Sequence, residues 1–261
     1  MPHFLRTLIV LVAVLTKAPL ATAATIGAAV SSAQKSPTSQ VSQACRRDFM
    51  HSLSGLYSID NLDIANLVQP HTEFEPLYAL AHDAQTELSE LMMEISMISN
   101  VSPLIPAVKS ADRAQEKIDT ELNGETGRIT DLARATLVAD DIGSVVSAFE
   151  QLNRDAEIVR VKNRFKTPAP SGYRDLSVLV RLPRTQMIAE VQLHLRDIAD
   201  VKSGPEHAAY EEIQRIERQV ALETREMNDI EMARVTRLRQ QSQDMYQQAW
   251  QSYLQPVAQV S

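Results

Sequence analysis

The sequence predicts an α+β protein, with a mixed, largely antiparallel sheet flanked by helices. N-terminal helices precede the sheet and a long C-terminal helical segment follows it. Three observations lead there. Phe74, Leu77, Tyr78, Ala81, Ala84, Leu88, Leu91, Met92, Ile95 and Ile98 recur at helical spacing. The middle of the chain then changes to a period of two over 132–138, 156–166, 173–182 and 186–195, the mark of strands. From Glu206 to Gln255 neither glycine nor proline occurs, so that stretch reads as one long helix or a hairpin broken near Asn228-Asp229.

Taken in order, residues 1–23 read as a signal peptide. Arg6 precedes the apolar run Leu8 to Leu15, and Ala21-Thr22-Ala23 supplies a small-x-small cleavage site. Eight apolar residues closed by Lys17 are too few to cross a bilayer, so a permanent membrane span is not expected. Residues 24–45 are Ala/Ser/Gln/Thr-rich and read as a disordered leader. The single cysteine, Cys45, excludes an internal disulfide, so an ordinary hydrophobic core must hold the chain together. Its 261 residues at 44% apolar content permit one.

An N-terminal helical layer is expected over 46–106. Its first helix covers 46–67; its second opens on a Thr72/Glu75 capping box and is stopped by Pro103 and Pro106. A short helix over 110–122 runs into the turn signal Asn123-Gly124, and a further helix over 141–152 separates the first two strands. A sheet-bearing domain is thus expected over 107–212 and a helical extension over 213–261.

The net charge is −7, yet Arg154 to Arg184 holds eight cations against three acids. A basic island in an acidic chain points to a site for one anionic ligand, on the scale of a nucleotide polyphosphate, and away from a nucleic acid duplex. Strand side chains alternate faces. On that parity Arg160, Lys162, Arg164 and Lys166 share one face of the second strand, with Val159, Val161 and Phe165 opposite. Tyr173, Asp175, Ser177 and Arg181 are in phase on the third strand; Glu190, Gln192 and His194 are in phase on the fourth. A sheet with one solvated face alternates in the same way. Against that plain alternative, like charges repeated along one face repel unless an anion lies among them. Asp131 and Glu190 also bring carboxylates from different strands, a sensible way to hold a divalent cation beside phosphates.

Several of these residues carry a family resemblance. Gly172-Tyr173-Arg174-Asp175-Leu176 resembles the Gly-Tyr-Arg-Ser-Leu-His signature of the RelA/SpoT alarmone synthetase domain. Ala189-Glu190-Val191-Gln192-Leu193 is similar to its Glu-Ile-Gln-Ile strand, and Glu206-His207-Ala208-Ala209-Tyr210-Glu211 to its Glu-His-x-x-Tyr-Lys helix start. Asp131-Leu132-Ala133 resembles the start of its Asp-Ile-Ala-Gly-Val-Arg strand, and Lys109 with Lys117-Ile118 its Arg-x-Lys-x-x-x-Ser-x-x-x-Lys-Met helix. The five segments occur in the family's order from Lys109 to Glu211.

The resemblance implies a nucleotidyltransferase-like sheet and transfer of the β,γ-pyrophosphate of ATP to the 3′-hydroxyl of a purine nucleotide. It implies Mg²⁺ held by Asp131 and Glu190, the catalytic carboxylates. Lys109 and Lys117, with Arg113 on the same stripe, would contact ATP phosphates, and Arg134 would replace a cation lost from the first strand. Lys162 and Lys166, joined on the basic face by Arg160 and Arg164, would hold polyphosphates. Tyr173 would stack on the acceptor base, with Gln192 beside Glu190. The chain departs from the family pattern at Ala107, Arg113, Arg134, Thr136, Ser177 and His194. Those departures keep open a nucleotide-binding domain without turnover and a secreted helical interaction protein. The signal peptide implies a secreted or periplasmic protein, acting in another cell if it uses ATP.

Overall fold

The computed structural model describes residues 52–255. The expected signal peptide and leader, and Cys45, lie outside the described residues. Within them a six-stranded sheet runs in the order β1-β4-β5-β6-β3-β2. Its strands are β1 (Leu62–Asp63), β2 (Val101–Leu104), β3 (Arg134–Ala139), β4 (Glu157–Asn163), β5 (Leu176–Arg181) and β6 (Ile188–Leu195). Only β3 and β6 pair in parallel; the other neighbours are antiparallel. Helices are α1 (52–58), α2 (Phe74–Ser99), α3 (Ala111–Glu121), α4 (Ile142–Asp155), α5 (Arg196–Ser203), α6 (Pro205–Leu222) and α7 (Asp229–Ser252).

The register sorts the sheet into two faces, because paired residues on adjacent strands point the same way. Val161, Val178, Val191 and Ala135 form one continuous row, each at most 3% exposed. Against this face pack Leu88, Met92 and Ile95 of α2 and Val145, Ala148 and Leu152 of α4, forming the main core. On the opposite face the rows are polar, and the candidate site lies there.

Both outer strands replace expected features. The first helix ends at 58, well short of Leu67. The Asn163 amide donates to the carbonyls of Leu56 and Ile59 at 2.8 and 3.0 Å, and Asn61 Oδ1 accepts from Asn163 N–H at 2.7 Å, so the chain turns out along β4 as β1. The α2 helix starts at Phe74 behind Glu73, with no side-chain cap, so the Thr72/Glu75 capping box does not form. It ends at Asn100 in the left-handed region (φ 52°), and the prolines play no part in stopping it. Pro103 sits in β2, an edge strand, where a missing N–H is tolerated.

Buried glutamines finish the sheet where strands run out. Gln85 of α2 both donates to the Arg134 carbonyl and accepts from its N–H, each at 3.0 Å, imitating a neighbouring strand. Gln69 does the same for Ile188, and also donates to the Ile129 carbonyl at 2.7 Å. Such pairing removes the desolvation cost of buried backbone groups.

The expected break near Asn228-Asp229 is present. Asn228 caps α7 in a capping box with Glu231, and α6 and α7 fold back on each other around Ile213, Ile216, Val220, Val235 and Leu238. Asn123 (φ 54°) and Gly124 (φ 78°) make the turn after α3 that their sequence signals. No described helix is long and apolar enough to cross a membrane.

Candidate functional site

The polar face is built from four strands, β4, β5, β6 and β3, whose register aligns their side chains. Arg160, Leu179, Glu190 and Arg134 form one row; Lys162, Ser177, Gln192 and Thr136 form the next. One step further Arg164 meets Asp175 through a 2.9 Å backbone hydrogen bond. The parity expected for β6 therefore holds, with Glu190 and Gln192 together above β3.

The parity expected for the second strand fails at both ends. A register shift between Ile158 and Arg160 inserts Val159 as a bulge. Val159 leaves the face of Val161 and joins Leu179, Ile188 and Leu67 in a separate small cluster. At the other end β4 stops at Asn163, whose side-chain oxygen accepts from the N–H groups of Phe165 and Lys166, turning the chain. The four-cation strand face is therefore not built. Arg160 and Lys162 lie along a shallow cleft of about 420 Å³ beside β1. Lys166 is exposed and pairs with Asp60 at 2.8 Å. Arg164 alone turns toward the centre of the site.

Two larger clefts flank β3. The first, about 1050 Å³, is lined by Lys109, Arg113, Lys117 and Arg134, with Arg218 of α6 added. In α3, Ala114 and Ile118 are buried, and Arg113 and Lys117 both face this cleft. A 3.0 Å bond from Lys109 N–H to the Leu132 carbonyl ties the start of this segment to the chain entering β3. There both lysines reach Asp131 Oδ2, Lys117 at 2.8 Å and Lys109 at 3.1 Å. Burial raises the Asp131 carboxyl pKa, but Lys117 and then Lys109 outweigh it and hold the group below its ordinary range. Its Oδ1 is buried without a hydrogen-bond partner. The Glu190 backbone N–H donates to the Ala133 carbonyl at 3.1 Å, which brings the β6 carboxylate beside the segment that carries Asp131.

The second cleft, about 740 Å³, is lined by Thr136, Arg164, Tyr173, His194, Lys202 and Tyr246, among others. Arg164 Nη1 donates to Asp175 Oδ1 at 2.6 Å, and the Tyr173 hydroxyl donates to Asp175 Oδ2 at 2.9 Å. Tyr173 also bonds His194 Nε2. Burial, followed by the charges of Lys202 and Arg164, depresses the His194 pKa to about 3, so the ring is neutral. The Tyr173 ring meets His194 and Tyr246 edge-on, with centroids at 5.7 and 5.6 Å. The Arg164 and Lys202 cations stand 5.8 and 5.2 Å from its centre. The ring expected to stack on an acceptor base is thus held by cations and aromatics on several sides.

Tyr173 follows a turn pinned to the C-terminal helix. Gln243 of α7 donates to the Pro170 carbonyl at 2.7 Å, and Gly172 adopts φ 84°. A Cβ there would lie 3.1 Å from the Gln243 Cα, so both the conformation and the close approach require glycine. The helical extension expected over 213–261 therefore supplies a wall of this cleft. Sequence reasoning did not assign Asp175, His194, Lys202, Arg218 or Tyr246 to the site. Asp175 and His194 carried a signal, being in phase with Tyr173 and Glu190. Lys202, Arg218 and Tyr246 come from helices, where no periodicity points at a sheet.

His207 and Tyr210 of α6 line both clefts, which therefore adjoin. A mixed sheet, a cationic helix facing one carboxylate and an aromatic cleft beside a second agree with the resemblance to the RelA/SpoT alarmone synthetase domain. The chain is 29% identical over 173 residues to the GTP pyrophosphokinase YwaC of Bacillus subtilis (strain 168), covering 59% of this chain and 81% of that protein. The Type VI effector Tas1, solved in complex with its immunity protein, superposes with a TM-score of 0.52 at 19% identity, over 68% of this chain and 96% of that one. A GTP pyrophosphokinase family protein from Streptococcus pneumoniae gives 0.51 at 16% identity, over 70% and 91%. At these identities the structural likeness is one of fold. No family model matches the chain.

Proposed function

We propose that this protein is a pyrophosphotransferase that moves the β,γ-pyrophosphate of ATP onto the 3′-hydroxyl of a purine nucleotide. One observation carries the reading. Arg134 and Thr136, on one face of β3, each line one of two adjoining clefts, and their β6 neighbours are Glu190 and Gln192. The cationic cleft suits the donor polyphosphate and the aromatic cleft the acceptor. The name of the B. subtilis relative, a GTP pyrophosphokinase, supports the same chemistry.

In this reading the acceptor oxygen attacks the β-phosphorus of ATP. The bond from that phosphorus to the α,β-bridging oxygen breaks, AMP leaves, and Glu190 takes the hydroxyl proton. Phosphoryl-type transfer needs positioning and charge neutralisation more than covalent help. Lys109, Arg113, Lys117 and Arg134 supply the cations for the donor phosphates, and Arg164 and Tyr173 orient the acceptor. Arg160, Lys162 and Lys166 stay peripheral, reached only by a polyphosphate that extends toward the β1 edge.

The residues fit a divalent cation. Asp131 keeps its ionised form and has a buried oxygen without a partner, and Glu190 Oε2 makes no hydrogen bond among the described residues. No group of three or more metal-ligating side chains occurs among the described residues; Mg²⁺ takes one or two carboxylates and completes its shell with phosphate and water. Asp131 and Glu190 would hold it, and its chemistry there is neutralisation of phosphate charge.

Incubating the protein with labelled ATP, Mg²⁺ and each of GDP, GTP, ADP and AMP tests the proposal. We expect a 3′-pyrophosphorylated nucleotide and AMP, abolished in Glu190→Ala. No product with any acceptor refutes turnover. Nucleotide-dependent thermal stabilisation without product would then select binding alone, a second reading favoured by the cations already packed on Tyr173. We further propose export by the N-terminal signal, supported by Arg6, the apolar run and Ala21-Thr22-Ala23. Fractionation and N-terminal sequencing test it, with a mature start at Ala24 expected.

A further inference from the structure

Lys202, a cation of the acceptor cleft, also touches Gln192 of β6, the in-phase neighbour of Glu190. It sits four residues after Ile198, which is fully buried, so both lie on the face of α5 that packs back on the sheet. Its ammonium donates to Gln192 Oε1 at 2.8 Å and to the Tyr173 hydroxyl at 3.4 Å. Gln192 in turn donates from Nε2 to Glu190 Oε1 at 3.0 Å.

The order of this chain follows from the chemistry of its members. An ammonium can only donate and a carboxylate can only accept, whereas a primary amide has one end of each kind. Between Lys202 and Glu190 the amide of Gln192 therefore has a single satisfying orientation: carbonyl oxygen toward Lys202, NH₂ toward Glu190. Without the ammonium, Gln192 could turn over, present its oxygen to the carboxylate and repel it. Nothing else on the chain donates to Gln192 Oε1 or to Glu190 Oε1 among the described residues.

We propose that Lys202 is a positioning residue for pyrophosphate transfer: acting through Gln192, it fixes the rotamer of Glu190 and leaves the other oxygen of that carboxylate unbonded for the reaction. The same ammonium makes only a long, 3.4 Å contact to the Tyr173 hydroxyl, which Asp175 and His194 already hold, so its short bond is the one to Gln192. The inference rests on the function proposed above and adds to it a residue on α5.

The test combines kinetics with structure. Lys202→Met keeps the aliphatic stem and removes the donor; loss of such a supporting contact lowers kcat about 10–100-fold, while the acceptor KM stays nearly unchanged. Lys202→Arg, which can still donate to Gln192, restores most of the rate. Gln192→Leu lowers kcat by a similar factor, and the double variant Lys202→Met/Gln192→Leu is no slower than Gln192→Leu alone, because both act on one chain. A raised acceptor KM with kcat preserved would make Lys202 a direct acceptor contact and overturn the proposal; fully additive losses would overturn it as well. Crystal structures of the wild type and Lys202→Met supply the second readout. Gln192 should turn and release Glu190 Oε1 in the variant, and an unchanged Gln192–Glu190 pair overturns the relay. If the wild type forms no product with any acceptor, the proposed function fails by itself, and the structural comparison still decides whether Lys202 holds Glu190.

Discussion

The Tyr173 hydroxyl donates to Asp175 Oδ2 at 2.9 Å, and Asp175 is completely buried. Arg164 takes the other carboxylate oxygen at 2.6 Å. A buried carboxylate is tolerated only when both oxygens are served. The tyrosine of the acceptor cleft is therefore also a structural donor, its hydroxyl held by a group beneath the cleft floor.

Tyr173→Phe keeps the ring and removes the donor. It leaves Asp175 Oδ2 buried without its partner, a loss of about 1–3 kcal/mol. Urea denaturation should show that shift in midpoint. Tyr173→Ala should in addition weaken acceptor binding, measured as a larger rise in acceptor KM than in the phenylalanine variant.

His194 is neutral in the folded protein, with its pKa depressed to about 3 by burial and then by Lys202 and Arg164. In the unfolded chain a histidine takes its proton near pH 6.5. Between these values the unfolded state binds the additional proton, so stability is complete above about pH 6.5 and declines as pH falls, by at most about 1.4 kcal/mol per unit from this group. Asp175 works in the opposite direction, because burial raises its pKa against the pull of Arg164. Chemical denaturation at pH 7, 6, 5 and 4 should therefore give a shallower acid loss in His194→Gln than in the wild type. Equal slopes would refute the buried neutral ring.

Gly172→Ala forces a φ of 84° on a residue with a Cβ and drives that atom to 3.1 Å from the Gln243 Cα. The left-handed conformation alone costs about 1–2 kcal/mol. The turn should lift from α7, loosening the Pro170–Gln243 contact. A lowered Tm together with faster proteolysis between Thr167 and Gly172 is the expected result.

Asp131→Asn removes the charge that engages Lys109 and Lys117. Transfer should fall by roughly 10²–10³-fold, the range for losing a preorganised electrostatic contribution. Metal-free binding of ATP should not weaken, since two ammonium groups are released toward the donor cleft. Calorimetric titration beside the transfer assay separates the two effects.

Much of the architecture was legible because local rules decide it. The long α2 stripe, the alternation of β6 and the break near Asn228-Asp229 each express a preference realised within a few neighbours. The edges were not legible. Two-residue β1 and proline-bearing β2 carry almost no periodic signal, and their place depends on Asn163 and β3, distant in the chain. The failure of the four-cation face has the same origin: a bulge at Val159 and a turn at Asn163 break a period that strict alternation extended too far.

By itself the sequence determined the α+β class, the grouping of Glu190 with Gln192 and the cationic stripe of Lys109, Arg113 and Lys117. Those follow from backbone periodicity, which is a property of the chain. Only the tertiary structure decided which cations face a common cleft. It sent Lys166 to Asp60 on the surface and Arg164 to buried Asp175, and it brought Lys202 and Tyr246 in from helices outside the sheet. The physical reason is that an ionic side chain goes where desolvation is compensated, and the compensating partner is a neighbour in space.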